Sequence, residues 1–379
     1  MNCNTRPVRV AVVAPIMIQR DAISMEVRDT IRGLALNQGF DTHHLGMCCE
    51  FSDIKHRHCQ SSADILRDPF YNSSDIAIYH FGIYSGIFDT LVAGGPRKKV
   101  IRFHNVTPPH LVSPSDQAIL ERSLRQIDCF RLVDEIWATS STNAEFLLAR
   151  GFYPEMIRII PLIVDDPKHL KLTSKRRVPI SVLYIGRIAP AKGIHDLIEA
   201  VARSPGARDI LRVTIAGNMQ WSDPNYVLHL KSLILKHRLE DIVIFSGTID
   251  DTEKDRLFHS AHILIMPSYH EGFCRPVVEG FRAGCIPLAY DAYNLPNIVN
   301  RLGCIVPTGD IDALGSKLMD LSRSISRGLL SPYDPVLPLD RGYTSVYEFD
   351  QLAKLWADEF TFERISAKMR ERVHQLSGV

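Results

Sequence analysis

Hydrophobic positions recur in two rhythms along the chain. Short apolar, β-branched runs read as buried strands: Val8 to Ala14, Ile76 to His80, Val100 to His104 and Glu135 to Thr139. Between and after them lie helix-period segments. One runs from Ser24 to Gln38 and is closed by Gly39; another starts near Asn143, where Thr142 and Glu145 have the spacing of a capping box. Strand and helix in alternation predict a parallel sheet covered by helices on both faces.

The rhythm stops over a polar stretch with a proline near each end, residues 166–179, which reads as a linker. It then restarts, with strands at Ile180–Ile185, Arg212–Ala216, Ile242–Phe245 and Ile263–Met266. Helices are expected from Gly193, near Tyr226–Lys236, near Thr252–Phe258 and near Pro276–Arg282. Residues 323–345 carry three prolines and scattered glycine and read as a surface loop or mobile insert, and Phe362 to Leu376 as an amphipathic, charge-rich helix. The organisation predicted is a first Rossmann-like domain over 1–165, a second over 180–350, and C-terminal helices over 351–379 that are candidates for packing back on the first domain. No internal repeat interrupts it.

Composition narrows the class. A chain of 379 residues suits two or three domains, and 45% hydrophobic with 23% charged residues is ordinary for a globular protein. Lys and Arg number 44 against 43 Asp and Glu, a formal charge of +1, which excludes a strongly basic nucleic-acid coat and an acidic tail protein. No run reaches the roughly 18 apolar residues that cross a bilayer, and the apolar run that ends at Pro15 is too short for a secretion signal. The eight cysteines include no C-x-x-C pair, so reduced thiols and a cytoplasmic setting are expected.

Two constellations carry chemistry. In the first, a strand ends at Gly186, a short loop holds Arg187 and Lys192, and a helix opens after Gly193. Helix-start N–H groups beside two cations suit a diphosphate, and fixed cations stabilise a leaving diphosphate most as its charge grows. A solvated loop with two surface charges reads the same spacing equally well. In the second, the strand through Ser268 leads into Tyr-His-Glu271-Gly-Phe-Cys-Arg-Pro276, with Glu279 about a turn inside the next helix. The N–H groups of Gly272 and Phe273 then face the same ligand as both carboxylates, and a carboxylate is the natural partner of a vicinal diol on a sugar or ribose.

Taken together, Gly186-Arg187…Lys192-Gly193, Glu271-Gly-Phe-Cys-Arg-Pro-Val-Val-Glu279, Phe281-Arg-Ala-Gly-Cys-Ile-Pro-Leu-Ala289 and Gly303-Cys-Ile-Val-Pro-Thr-Gly-Asp310 resemble the retaining nucleotide-sugar glycosyltransferases of family 4. The resemblance is strong across about 180–315 and weaker before it. It implies the GT-B fold: α/β, with two Rossmann-like doubly wound domains facing each other across a cleft. It also implies roles. Arg187 and Lys192 bind the donor diphosphate, Glu271 the sugar hydroxyls and Glu279 the ribose. Gly272 and Phe273 lend backbone N–H groups, while Gly186, Gly217, Ser246, Gly247 and Ile249 flank the nucleotide. Arg102-Phe-His104-Asn105 resembles the family's strand-then-histidine loop on the acceptor side, which implies a catalytic role for His104 in bonding the sugar or orienting the acceptor hydroxyl, although a lone histidine read without the resemblance is more often structural. His80, Asn105 and Ser24 are the weaker acceptor-side candidates.

The activity implied is transfer of a hexose from a UDP- or GDP-sugar to a hydroxyl, with retention, and with polysaccharide or lipid-linked oligosaccharide synthesis as the setting. No cofactor and no metal are expected, since the two cations and the helix start already offset the diphosphate. Expected partners are the donor and a carbohydrate or lipid-linked acceptor, with no nucleic acid. Contact with the inner face of a membrane is an option for the run Arg97-Lys-Lys99, which reads foremost as solvated surface. One departure keeps an alternative from a different class open, although the presence of Glu271, Glu279, Arg187 and Lys192 argues against it. Where the family has a glycine pair after its first strand, this chain reads Ala14-Pro-Ile-Met-Ile-Gln-Arg-Asp21, which leaves room for a catalytically silent sugar-nucleotide-binding module. His43-His44 and His56-Arg-His58-Cys59 lack the spacing of a zinc motif.

Overall fold

The computed structural model describes residues 6–19, 21–164, 169–219 and 222–378. Its first nine strands are β1 (Val8–Val13), β2 (Ile16–Met17), β3 (Phe40–Gly46), β4 (Cys48–Cys49), β5 (His56–His58), β6 (Ile76–Phe81), β7 (Lys98–Phe103), β8 (Glu135–Ala138) and β9 (Ile157–Ile159). Seven of them form a parallel sheet in the order β5-β3-β1-β6-β7-β8-β9, and β2 pairs with β4 alongside. β6 and β8 are buried along their whole length, the mark of a sheet covered on both faces.

A second parallel sheet follows: β10 (Ile180–Ile185), β11 (Leu211–Ala216), β12 (Val243–Gly247), β13 (Ile263–Met266), β14 (Ile286–Tyr290) and β15 (Cys304–Val306). Its order is β12-β11-β10-β13-β14-β15. Chain order therefore reverses between β10 and β13.

The described residues separate into two compact units. The first takes in residues through Pro109, from Pro114 through Val164 and from Phe360 onward; the second holds His110–Ser113 and the stretch that ends at Glu359. The predicted C-terminal segment is thus divided. Helix Val346–Ala357 stays with the second unit. Helix Phe362–Ser377 lies in the first, where Ile365, Met369 and Val373 share a core with Val10, Val27, Ile31 and Leu34. Arg372 Nε reaches the buried Glu135 carboxylate at 2.7 Å. Residues 169–174, read from sequence as linker, are fastened to the second unit: Asp350 accepts the Leu172 N–H at 2.6 Å and the Thr173 hydroxyl at 2.9 Å.

Three further expectations change. Residues 323–345 are no loop. They complete helix Ile311–Gly328 and then form a hairpin of β16 (Leu337–Leu339) and β17 (Gly342–Thr344), with Leu337 and Leu339 buried. Pro338 is tolerated because both strands of a two-stranded ribbon are edges. Second, Ser140 caps the helix Ser141–Ala149 by accepting the Asn143 N–H at 3.2 Å, so the helix starts earlier than a Thr142 cap would allow. Third, Arg97-Lys-Lys99 is not a free basic patch. Lys98 pairs with Asp134 at 2.7 Å, and Lys99 is buried, its ammonium donating to the carbonyls of Thr90, Leu91 and Ala93.

Candidate active site

In an open parallel sheet, ligands gather beyond the carboxyl ends of the strands where chain order reverses. In the second unit those strands are β10 and β13, followed by the loops 186–193 and 267–274. The loops are locked together. The Tyr269 N–H donates to Ala191 O at 2.9 Å, and the buried Tyr184 hydroxyl holds Arg187 O at 2.7 Å. Gly193 has φ 63°, and a Cβ there would lie 1.9 Å from Pro267 O, so only glycine brings the two backbones this close. Helix Ile194–Arg203 begins at this glycine with no side-chain cap. Its first turn is tied down from below: buried Asp196 accepts the hydroxyls of Tyr269 at 2.6 Å and Tyr290 at 2.9 Å.

The charged groups line up along this edge. Lys192 Nζ meets Glu271 Oε1 at 2.7 Å, with 14% and 11% of the two side chains exposed, and a 3.4 Å contact runs on to His270 O. The exposed Arg187 guanidinium forms no ion pair among the described residues. A turn into helix Arg275–Arg282, Glu279 pairs at 3.2 Å with Lys254 of helix Asp251–Ser260; that carboxylate raises the Lys254 pKa above the usual lysine value. Both acids are therefore matched by lysines, an arrangement suited to hydroxyls and phosphate more than to a cation held by clustered carboxylates. The Gly272–Phe273 turn is braced by Asn294, whose amide donates to Phe273 O at 3.0 Å.

Two residues here escape the sequence reading. Lys254 sits in a helix whose charges look solvated, and only the juxtaposition of two helices reveals its partner. His270 lies next to Glu271 in the turn, and its position there was the available signal. It is buried, and desolvation together with Lys192 pushes its pKa down to about 4; among the described residues its Nε2 has no hydrogen-bond partner.

The remaining second-unit candidates continue along the same sheet edge. Gly186 N–H donates to Ala216 O at 3.0 Å and Gly217 N–H to Gly247 O at 3.1 Å, which joins the ends of β10, β11 and β12. Ser246 Oγ is buried without a partner among the described residues, and Ile249 is half-buried in the loop that follows.

In the first unit, His104 stands at the carboxyl end of β7, half-buried, with Nε2 3.1 Å from Nδ1 of the buried His80 on β6. Burial and the nearby Arg102 push the His104 pKa down to about 3, so it is neutral at physiological pH. Arg102 itself is consumed by Glu26 at 2.6 Å and the carbonyls of Ile160 and Pro161. Asn105 is turned inward: it donates to Asn143 Oδ1 at 2.6 Å and accepts the Val106 N–H. Ser24 is fully buried and donates to Asp21 Oδ2 at 2.7 Å, with Asp21 acting as the cap of helix Ala22–Ala35. The structure thus brings His104 and His80 together and spends the side chains of Asn105 and Ser24 on local structure.

Against known proteins, residues 167–325 match the family model described as "Glycosyl transferases group 1". The Lys192–Glu271 and Lys254–Glu279 pairs both lie inside the matched stretch. Among relatives, the chain is 31% identical over 207 residues to MMP alpha-(1->4)-mannosyltransferase of Mycolicibacterium hassiacum, covering 52% of this chain and 48% of that protein. It is 25% identical over 261 residues to the putative colanic acid biosynthesis glycosyltransferase WcaL of Salmonella typhimurium, covering 66% and 62%. The chain spans about half the length of the first of these relatives. Its fold is that of sucrose-phosphate synthase from Thermosynechococcus elongatus, with a TM-score of 0.72 at 17% identity over 98% of this chain and 99% of that one. Anabaena HepE, solved in complex with UDP-glucose, matches with a TM-score of 0.69 at 15% identity over 97% and 99%. These are GT-B structures, and the two Rossmann-like units are those of the GT-B fold.

Proposed function

We propose that this chain is a retaining glycosyltransferase that moves a hexose from a nucleoside-diphosphate sugar to a hydroxyl of a carbohydrate or lipid-linked acceptor. The observation that carries the reading is the Lys192–Glu271 pair at the reversal point of the second sheet, with Arg187 exposed on the adjoining loop. A diphosphate placed at the uncapped start of helix Ile194–Arg203 meets two cations and oriented N–H groups together. Glu271 then holds the sugar hydroxyls and Glu279 the ribose diol. As the bond between C1 and the phosphate oxygen breaks, negative charge collects on the diphosphate, where Arg187 and Lys192 stabilise it most. The acceptor oxygen bonds to C1 from the same face and its proton passes to the departing phosphate oxygen. These fixed cations do the work that a metal ion performs elsewhere, so transfer is expected to survive chelation. His104, neutral at working pH, is the first unit's candidate for orienting a sugar or acceptor hydroxyl. Relatives named for mannosyl transfer and colanic acid biosynthesis support a setting in glycan assembly. Among the described residues no helix is long and apolar enough to cross a membrane; a cytoplasmic location belongs to the same proposal.

The test starts with thermal shifts against UDP- and GDP-hexoses, since a ligand that binds the native state raises its apparent stability. Transfer is then followed by NMR of the anomeric proton, with and without EDTA. Retention of configuration in an active protein is the expected outcome. Failure of every nucleotide sugar to bind overturns the reading. Donor binding with neither transfer nor hydrolysis favours instead a silent binding module.

A further inference from the structure

β3 and β5 lie side by side in the first unit with His44 directly opposite His56. The two imidazoles stack, centroids 4.9 Å apart and planes 21° apart, and bring Nδ1 to Nδ1 at 3.0 Å. The short β2–β4 ladder pairs Met17 with Cys49 and delivers Cys49 Sγ to the same point, so that the three ligand atoms lie within 4.8 Å of one another. His44 is fully buried, whereas Cys49 and His56 are half-buried, which leaves a way in.

Two features of the surroundings fix His44 in the form a metal ion needs. Its Nε2 lies 3.0 Å from Ala14 O, and donation there leaves the Nδ1 lone pair turned toward His56. A ligating histidine characteristically gives its second N–H to a carbonyl or carboxylate in this way. Gly46 supplies the room: a Cβ at that position would lie 2.1 Å from Ala14 O and 2.8 Å from His44 Nε2.

We propose that His44 Nδ1, His56 Nδ1 and Cys49 Sγ form a binding site for a late first-row transition-metal ion, zinc above others. Two imidazoles and a thiolate are a borderline-soft donor set that zinc prefers. A tetrahedral ion about 2.0–2.1 Å from each nitrogen holds the pair about 3.3 Å apart, a few tenths of an ångström beyond the present separation. Binding exchanges a proton for the ion. Cys49 gives up its thiol proton and leaves its 3.6 Å contact with Phe51 O; His56 keeps its proton by moving it to Nε2. One proton is released per ion, and a fourth position is left for water. The ion would fasten the β2–β4 ladder, and with it the segment after β1, to the main sheet. The rival is a plain histidine–histidine hydrogen bond with a thiol nearby, which binds nothing.

Full-length, tag-free protein stripped with a chelator and titrated with zinc against a chromophoric competitor separates the two. One equivalent is expected, with a rise in melting temperature, and cobalt(II) in its place should give the intense visible bands of a tetrahedral thiolate complex. Cys49→Ser and His56→Gln should each weaken zinc by about a hundredfold or more, beyond the 10–100-fold typical of losing an outer-shell partner. Cys48→Ser and His58→Gln should leave it unchanged. Far-UV circular dichroism of metal-free variants checks that each is folded, which the half-buried positions of Cys49 and His56 favour. No stoichiometric uptake by the parent protein, or undiminished uptake in both folded ligand variants, overturns the site.

Discussion

At the scale of the residue, Lys192 is held by one carboxylate inside a largely covered turn, and that pairing makes two measurements diverge. Lys192→Ala is expected to lower turnover by about a hundredfold or more, the scale of a lost oxyanion donor. It also strands Glu271 in a site where little of its side chain meets water, so melting temperature should fall as well. Lys192→Arg should recover stability better than turnover, because a guanidinium pairs with the carboxylate yet presents different geometry to a diphosphate. Steady-state kinetics beside thermal melts resolve the two; unchanged turnover in Lys192→Ala removes its proposed role. A second residue governs acid stability. Buried His262 accepts the Ser181 N–H through Nδ1 at 3.0 Å and donates through Nε2 to Arg176 O at 2.5 Å, a pattern only the neutral ring can make. Burial pushes its pKa from 6.5 down to about 4. Between those values the unfolded chain binds the extra proton and the folded one does not, so stability falls as pH drops from about 6.5 toward 4, by up to about 1.4 kcal/mol per pH unit from this group. His262→Gln should flatten that slope in melts across pH 7 to 4.5.

At the scale of the element, the strands and their parallel arrangement are legible because a strand buried on both faces appears as an unbroken apolar run, as at Ile263–Met266. The turn holding Glu271 is legible for the same reason: a known strand end is followed by glycine and a first-turn proline. The hairpin at Leu337–Thr344 was not, since strands of three residues carry no period and proline argues against them. Nor was the Lys254–Glu279 pair, which depends on how two helices lie against one sheet. His44 and His56 were hidden by register: twelve positions apart, they meet only because two strands pair in parallel. The element most sensitive to change is the loop that ends at Gly193. Gly193→Ala adds a Cβ at 1.9 Å from Pro267 O and places it in left-handed backbone, itself worth about 1–2 kcal/mol. The loops should separate, with loss of nucleotide-sugar response in thermal shifts even where the protein still folds.

At the scale of the molecule, the first unit is closed by the stretch that follows the second. Ile365, Met369 and Val373 are fully buried in its core, and Arg372 answers the buried Glu135. A chain ended after Glu359 should therefore fail to form a stable first unit while the second retains cooperative melting, which separate expression and calorimetry would reveal. The opposite result, a fully stable first unit without that helix, would assign the helix a lesser part. The same threading sets an order of events on the ribosome. Residues 6–164 leave the exit tunnel long before the helix that completes them has been translated, so the earliest-made half must wait, exposed, while the later half folds ahead of it. Chaperone demand during synthesis should accordingly fall on the amino-terminal portion, and slowing translation between the two should lengthen that exposure without relieving it.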